Sequence, residues 1–371
     1  MPRLPPSLLR RAHRTSPHLA ALLPACRTLA SARNELRWIR EHVANTLPSS
    51  PHGREARLVG LANARKRESL LLTDLCRKRG RGYPLQYVLG TQPFGDLEIK
   101  CRPGVLIPRP ETEAWVTRLA EVVRASGDGY GVAGRGDDEG PRVLDLCTGS
   151  GCVALLLYSL LHRRFPGMGV RGVDVEPKAI ALARENWAFN VRLGVLPRGE
   201  RDVAFEEADI FSAEWMSSLR LSRDGDEVEG GERVDILVAN PPYISSRGFN
   251  RDTERSVRRY EPKLALVPTP PTSLQLPMGC QPEDVFYTRI LDVAKLLQPR
   301  FTVLEVGDLA QGLRVVKMTR SRFDGVEIEV WRDWPDMKPD ENEPDSVKVD
   351  GVEVPVRGSG HGRAVFIRRT F

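Results

Sequence analysis

The chain is 371 residues long and 41% hydrophobic, with 55 Lys and Arg against 49 Asp and Glu, a formal net charge of +6. That length holds one large domain and a smaller one with an ample core, and no apolar run is long enough to span a membrane. The six cysteines (Cys26, Cys76, Cys101, Cys147, Cys152, Cys280) form no CxxC pair and stand at no metal spacing with His. A zinc module is therefore not expected, and free thiols in a reducing compartment are.

Residues 1–34 hold six Arg, no Lys and no acid, with Ser, Thr, Ala and Leu between them. This is the composition of a mitochondrial transit peptide; a disordered basic tail is the plain alternative. The rest of the chain then carries 49 basic and 49 acidic residues, which gives little support to a general nucleic-acid surface.

Leu36, Ile39 and Val43, then Leu58, Leu61, Leu70, Leu71 and Leu75, recur at helical spacing, with a break at residues 48–51 (PSSP). A small helical domain is expected over 35–82, either docking a substrate partner or simply packing. The glycine turns and alternation of PLQYVLG (84–90), QPFG (92–95) and LEIK (97–100) predict a β-hairpin connector over 83–112. In IPRPETE (107–113) two prolines frame Arg109. Glu111 and Glu113 fall in the first turn of a helix running through Trp115, Leu119 and Val122, where acids suit the positive helix end.

The large domain is expected over 113–371. Residues 125–141 and 222–232 read as a flexible insertion and a charged loop. RVLDLCTGSG (142–151) reads as a first strand and a glycine turn leading into an apolar helix. Glycines at 149 and 151 allow close approach of backbone to a ligand. A second strand ends at Asp174, where an acid can grip ribose hydroxyls, as in a dinucleotide site. The turn is DxCxGSG, however, and the acid at its start, Asp145, suits a ligand with a positive end, such as S-adenosylmethionine, better than a pyrophosphate. A helix (177–190), a strand (204–207) and an acidic turn at Asp209 follow. Alternation of strand and helix gives a doubly wound parallel sheet, completed by strands at 234–239 and 301–307. Residues 326–330 and 364–367 are expected to pair antiparallel at the end, with 333–361 a loop between them and 268–282 an irregular insertion.

Asn240-Pro241-Pro242-Tyr243 follows a buried apolar strand. Two consecutive prolines cannot continue a ladder, so the chain leaves the sheet in a stiff loop at the edge where ligands of open α/β sheets bind. The Asn240 carbonyl and a neighbouring backbone carbonyl can hold a planar NH2 group, with the Tyr243 ring on its face. A Pro-rich turn without chemistry is the alternative.

The glycine turn, Asp174, Asp209 and NPPY, in this order, resemble a class I S-adenosylmethionine methyltransferase, a Rossmann-like α/β sheet. With PLQYVLG, LIPRPETE (106–113), EPKLAL (261–266) and LEVG (304–307), the chain from about residue 35 onward resembles the HemK/PrmC family of release factor glutamine methyltransferases, in a mitochondrial form. The loop alone is shared with nucleobase amino-methyltransferases, which remain the alternative.

The resemblance implies S-adenosyl-L-methionine as cofactor and the Gln of a Gly-Gly-Gln loop in a mitochondrial release factor as substrate. It also implies the matrix as compartment, with no stable nucleic-acid or membrane partner and no metal. Asp145 and the backbone of Cys147, Thr148, Gly149, Ser150 and Gly151 would hold the methionine end. Asp174 would take the ribose, Asp209 would lie near the adenine, and Asn240 would border both ligands. Asn240 and Pro241 would accept the substrate N–H groups, with Pro242 and Tyr243 packed around the amide and Arg109 and Glu111 shaping the mouth. Cys147 and Ala208 stand where the family usually has Gly. Segments 125–141, 268–282 and 333–361 are longer than its compact form.

Overall fold

In the computed structural model the described residues are 3–46, 54–126, 140–197, 203–220, 234–269 and 280–370, with 54–62, 216 and 218–220 described by backbone alone. The expected break at 48–51, the loop 222–232 and most of the insertions 125–141 and 268–282 lie outside them, as do the side chains of Leu58 and Leu61. The chain forms two compact units, residues 1–92 with 254–261, and residues 93–253 with 262–371.

The first unit opens with α1 (Pro6–Thr15) and α2 (Pro17–Cys26), followed by α3 (Leu29–Thr46), α4 (Arg54–Gly80) and α5 (Leu85–Leu89). Pro6 and Pro17 each sit in a first turn, where a missing N–H breaks no helical bond. Ala12, Leu19, Leu22 and Leu23 share one core with Leu36, Ile39, Val43 and Cys76. In the full chain α3 runs through residue 34, and the Arg-rich stretch supplies core leucines. Leu70, expected on the apolar face of its helix, is 62% exposed. Glu35 is buried and accepts two hydrogen bonds from the Arg79 guanidinium at 2.7 and 2.9 Å. Breaking such a pair would leave an uncompensated buried charge.

Residues 85–89, expected in a hairpin, are helical instead. Pro84 stands at the N-cap with extended backbone, and Gly90 closes the helix at φ +80°. Alternation over five residues does not separate strand from one helical turn, and the Pro-to-Gly frame decides it. The hairpin is confined to β1 (Thr91–Phe94) and β2 (Leu97–Lys100).

The second unit continues with α6 (Pro110–Ala125), β3 (Arg142–Leu146), α7 (Cys152–Leu161), β4 (Gly169–Asp174), α8 (Pro177–Arg192), β5 (Val203–Glu207), α9 (Ala213–Arg220), β6 (Ile236–Ala239) and α10 (Ser246–Arg251). After α11 (Arg255–Tyr260), which belongs to the first unit, come α12 (Val285–Leu297), β7 (Phe301–Glu305), α13 (Leu309–Arg320), β8 (Val326–Trp334), β9 (Ser346–Val349), β10 (Val352–Arg357) and β11 (Ser359–Arg369).

Among the described residues, strands β3 to β11 form one sheet in the order β5-β4-β3-β6-β7-β11-β8-β10-β9. The first five are mutually parallel, and β11 inserts antiparallel between β7 and β8, as the sequence pattern predicts for the closing pair. Along β6, Ile236 and Val238 pack into the apolar layer that holds α6 and α7, while Leu237 and Ala239 pack with α12 and α13. Every residue of β6 is therefore buried, as a strand covered on both faces requires.

Residues 333–361 are not one long loop. The segment VKVDGVEV forms the hairpin β9–β10, with Val349 opposite Val352 and the two turn residues, Asp350 and Gly351, at φ +48° and +82°. Two positive φ values in a two-residue turn match the right-handed twist of the flanking strands, and Asp-Gly is the pair that adopts them at low cost.

Candidate active site

The sheet order reverses between β3 and β6, and in open α/β sheets the crevice beyond the carboxyl ends of the strands at such a point takes the ligand. A cavity of about 350 Å³ lies there, walled mostly by apolar atoms. The loops after β3, β4, β5 and β6 bring Cys147, Thr148, Gly149, Ser150, Asp174, Asp209, Asn240 and Pro242 to its wall, together with Arg109. Asp145, Gly151, Pro241, Tyr243 and Glu111 are not on that wall.

The turn after β3 is held from beneath. Asp145 is buried, and its carboxylate accepts the Thr148 hydroxyl at 2.6 Å. Burial pushes the Asp145 carboxyl up to about 7, against the pull of the Thr148 and Ala154 donors. Asp145 thus acts on a ligand through Thr148, not by direct contact. The two glycines differ in purpose. Gly149, at φ +56°, has no atom within 4 Å of where a side chain would start, so its face is open. Gly151, at φ +79°, would place a Cβ 3.0 Å from Ala183 and 3.1 Å from Phe205, so it serves close packing of the turn. Cys147 takes φ +60°, a left-handed conformation in which Gly is unstrained. Its side chain packs against the apolar layer, and burial raises its thiol well above the usual range, so it is no nucleophile.

Asp174 ends β4 and accepts the Gly149 N–H at 2.9 Å on one oxygen and the Glu176 N–H at 2.9 Å on the other. A carboxylate oxygen has a second lone pair, so both oxygens can still accept from a ligand diol. Burial, ahead of its other influences, raises the Asp174 pKa. Asp209 is exposed and accepts the Phe211 N–H at 2.9 Å, which fixes the turn that sets Phe211 against Phe286 at a centroid distance of 5.0 Å.

The NPPY loop rests on groups that motif reading did not single out. Glu305 ends β7 fully buried and accepts the Thr112 hydroxyl at 2.6 Å, the Trp115 indole N–H at 2.8 Å and the Tyr243 hydroxyl at 3.2 Å. Asn240 Nδ2 faces the Thr112 oxygen at 3.5 Å. The Gln311 amide donates to the Tyr243 carbonyl at 3.2 Å and to Asp284, which also accepts Arg314. Thr112 and Glu305 lie inside PETE and LEVG, but a Thr between two acids and a Glu in a strand give no sign that they meet 193 positions apart.

Arg109 is the one basic side chain on the cavity wall among the described residues, so a pyrophosphate would find little to neutralise it. A ligand with a positive end, vicinal hydroxyls and a flat aromatic group fits this set of acids, open glycine and apolar wall. Among the described residues no cluster of His, Cys, Asp and Glu could hold a metal, and no helix is long and apolar enough to cross a membrane.

No family model matches the chain. The mitochondrial MRF1 N(5)-glutamine methyltransferase MTQ1 of Saccharomyces cerevisiae is 36% identical over 269 residues, 72% of this chain and 68% of that protein. A probable MRF1 mitochondrial N(5)-glutamine methyltransferase of Schizosaccharomyces pombe is 34% identical over 258 residues, 69% of this chain and 70% of that protein. A release factor glutamine methyltransferase of Chlorobaculum tepidum is 36% identical over 192 residues, 52% of this chain and 55% of its own length. Among solved structures, the N-terminal domain of human METTL16 in complex with SAH overlaps 80% of this chain and 83% of that one at 15% identity, with a TM-score of 0.41.

Sheet order and site define a class I methyltransferase that uses S-adenosylmethionine. Within that class, the chain belongs to the family of release factor glutamine methyltransferases.

Proposed function

We propose that this enzyme methylates the side-chain amide nitrogen of the Gln in the Gly-Gly-Gln loop of a mitochondrial class 1 release factor, in the matrix. The observation that carries this reading is the Asn240 amide at the cavity wall, held from behind by Thr112 and Glu305. When bound, S-adenosylmethionine supplies a methyl group activated by a cationic sulfur. Thr148, Gly149, Ser150 and Asp174 would hold it.

A carboxamide nitrogen is a poor nucleophile because its lone pair is delocalised. Asn240 Oδ1 would accept one of its N–H groups and the Pro241 carbonyl, next in the chain though off the cavity wall, the other; this fixes the nitrogen and directs the lone pair, while Tyr243 keeps the loop closed behind it. Positioning and fixed dipoles do most of this work, since the proton can leave afterwards to water. The nucleobase alternative shares only the NPPY loop, whereas the relatives are named for glutamine. Mass spectrometry of the Gly-Gly-Gln peptide after incubation tests the reading: one added methyl group on Gln supports it.

The compartment rests on the relatives' printed names and on the Arg-rich start of the chain. Residues 1–34 also supply Leu19, Leu22 and Leu23 to the helical core of the full chain.

The helical unit docks the protein substrate in this reading. Its charge supports that: residues 1–92 and 254–261 carry 20 Lys and Arg against 7 Asp and Glu, and the second unit holds 35 against 42. The basic excess therefore follows the unit and does not stop at residue 34. The KM for release factor should rise with added salt while kcat at saturation holds, because screening weakens the charge attraction and leaves the chemistry alone. Steady-state kinetics at several ionic strengths checks this.

Cofactor binding should depend on pH in a defined sense. Burial raises the Asp174 carboxyl and pushes Asp145 up to about 7, so below that value the free site tends to hold protons. A cationic, hydroxyl-bearing ligand favours the ionised forms. Affinity should therefore climb as pH rises toward 7 and level off above it, with proton release on binding in the climbing range. Calorimetry in buffers of different ionisation enthalpy reads the released proton directly.

A further inference from the structure

Glu305 is not itself on the cavity wall, but one of its donors, Thr112, is. Its Oε2 accepts both the Thr112 hydroxyl at 2.6 Å and the Trp115 indole N–H at 2.8 Å; its Oε1 accepts the Tyr243 hydroxyl at 3.2 Å. An indole nitrogen can only donate, so Oε2 must be an acceptor, and its two lone pairs are then filled. A threonine hydroxyl has one proton, and here it is committed to Glu305. The Thr112 oxygen can therefore only accept on its remaining side, where Asn240 stands at 3.5 Å. With the Asn240 amide reversed, two acceptors would face each other.

We propose that Glu305 and Thr112 are positioning residues: they set the donor–acceptor polarity of Asn240, so that its NH2 points to Thr112 and its carbonyl oxygen is left to accept the substrate N–H. The same carboxylate ties down the Tyr243 hydroxyl, so one buried group joins the first turn of α6, the end of β7 and the NPPY loop. The polarity is that of an ionised Glu305 or of one protonated on Oε1. Burial favours a proton on this carboxyl, and on Oε1 it leaves the Thr112 bond as it is. Tyr243 would then accept where it had donated, while Oε2 and Thr112 are unchanged.

This inference rests on the glutamine methyltransferase reading, and the test separates the two. Methyl transfer to release factor is measured for the wild type, Thr112→Ser, Thr112→Val, Glu305→Gln and Glu305→Leu, with S-adenosylmethionine affinity measured by calorimetry on each. No transfer by the wild type would defeat the functional reading itself. Given an active wild type, Thr112→Val, which fills the same space without a lone pair, should lose roughly ten- to a hundredfold in kcat with cofactor affinity held. Thr112→Ser should recover most of the rate. Glu305→Gln can turn its carbonyl to Thr112 and Trp115 and its NH2 to the Tyr243 oxygen, so it should stay within a fewfold of wild type, whereas Glu305→Leu should not. Wild-type kcat in Thr112→Val overturns the proposal, as does equal loss in Glu305→Gln and Glu305→Leu. A purely structural role would lower stability and cofactor affinity together and show no such split.

Discussion

Asn240→Ala should reduce methyl transfer roughly a thousandfold, the scale seen when a single preorganised polar group is removed from a reacting centre. The side chain stands at the cavity wall with its NH2 facing Thr112 at 3.5 Å, so in the proposed reading the variant loses a fixed acceptor for the substrate amide. The substrate would still reach the site, but nothing would set its nitrogen in line. Cofactor affinity should fall little, because Thr148, Gly149 and Asp174 belong to other strand ends. Single-turnover kinetics with saturating cofactor, beside calorimetric titration of the same variant, makes the comparison. Loss of both properties together would show a collapsed pocket, and retained activity would remove Asn240 from the chemistry.

Asp174→Ala should show the converse, with cofactor affinity weakened about a hundredfold and the protein still folded. Hydrogen bonds to a charged acceptor contribute about 1.5–3 kcal/mol each, and two ligand hydroxyls would lose theirs. The variant also frees the Gly149 and Glu176 N–H groups, which now converge on the one carboxylate, so the turn itself loosens. Asp174→Asn keeps one acceptor oxygen and should fall between. Calorimetry gives the affinities, and circular dichroism of the free variants establishes that both are folded.

Much of this site was legible because its parts are local. A strand, a left-handed turn and an acid at the next strand end occupy short stretches whose φ and hydrogen-bond needs restrict residue choice, and Asp145, Gly149 and Asp174 stand out for that reason. The NPPY loop declares itself in the same way, since two prolines in succession exclude both regular structures. The support behind it was not legible. Glu305 reads as one more strand residue until its partners arrive from α6 and the NPPY loop, and only the fold shows that its charge is buried among donors.

Leu19, Leu22 and Leu23, between the arginines of residues 1–34, are core residues, which composition alone does not distinguish from a leader's leucines. The acids and prolines of 333–361 suggest a loop, although Asp350-Gly351 between alternating valines carries a hairpin signal at two-residue range. Residues 85–89 were too few for either period to show, and their Pro and Gly caps were the better guide.

The most direct test of the central claim gives the enzyme a methyl-labelled donor and three acceptors: a mitochondrial release factor, the same factor with the Gln of its Gly-Gly-Gln loop changed to Ala, and total mitochondrial RNA. The account predicts label on the intact factor alone. Equal label on the Gln-to-Ala factor, or label on RNA in preference to protein, would contradict it.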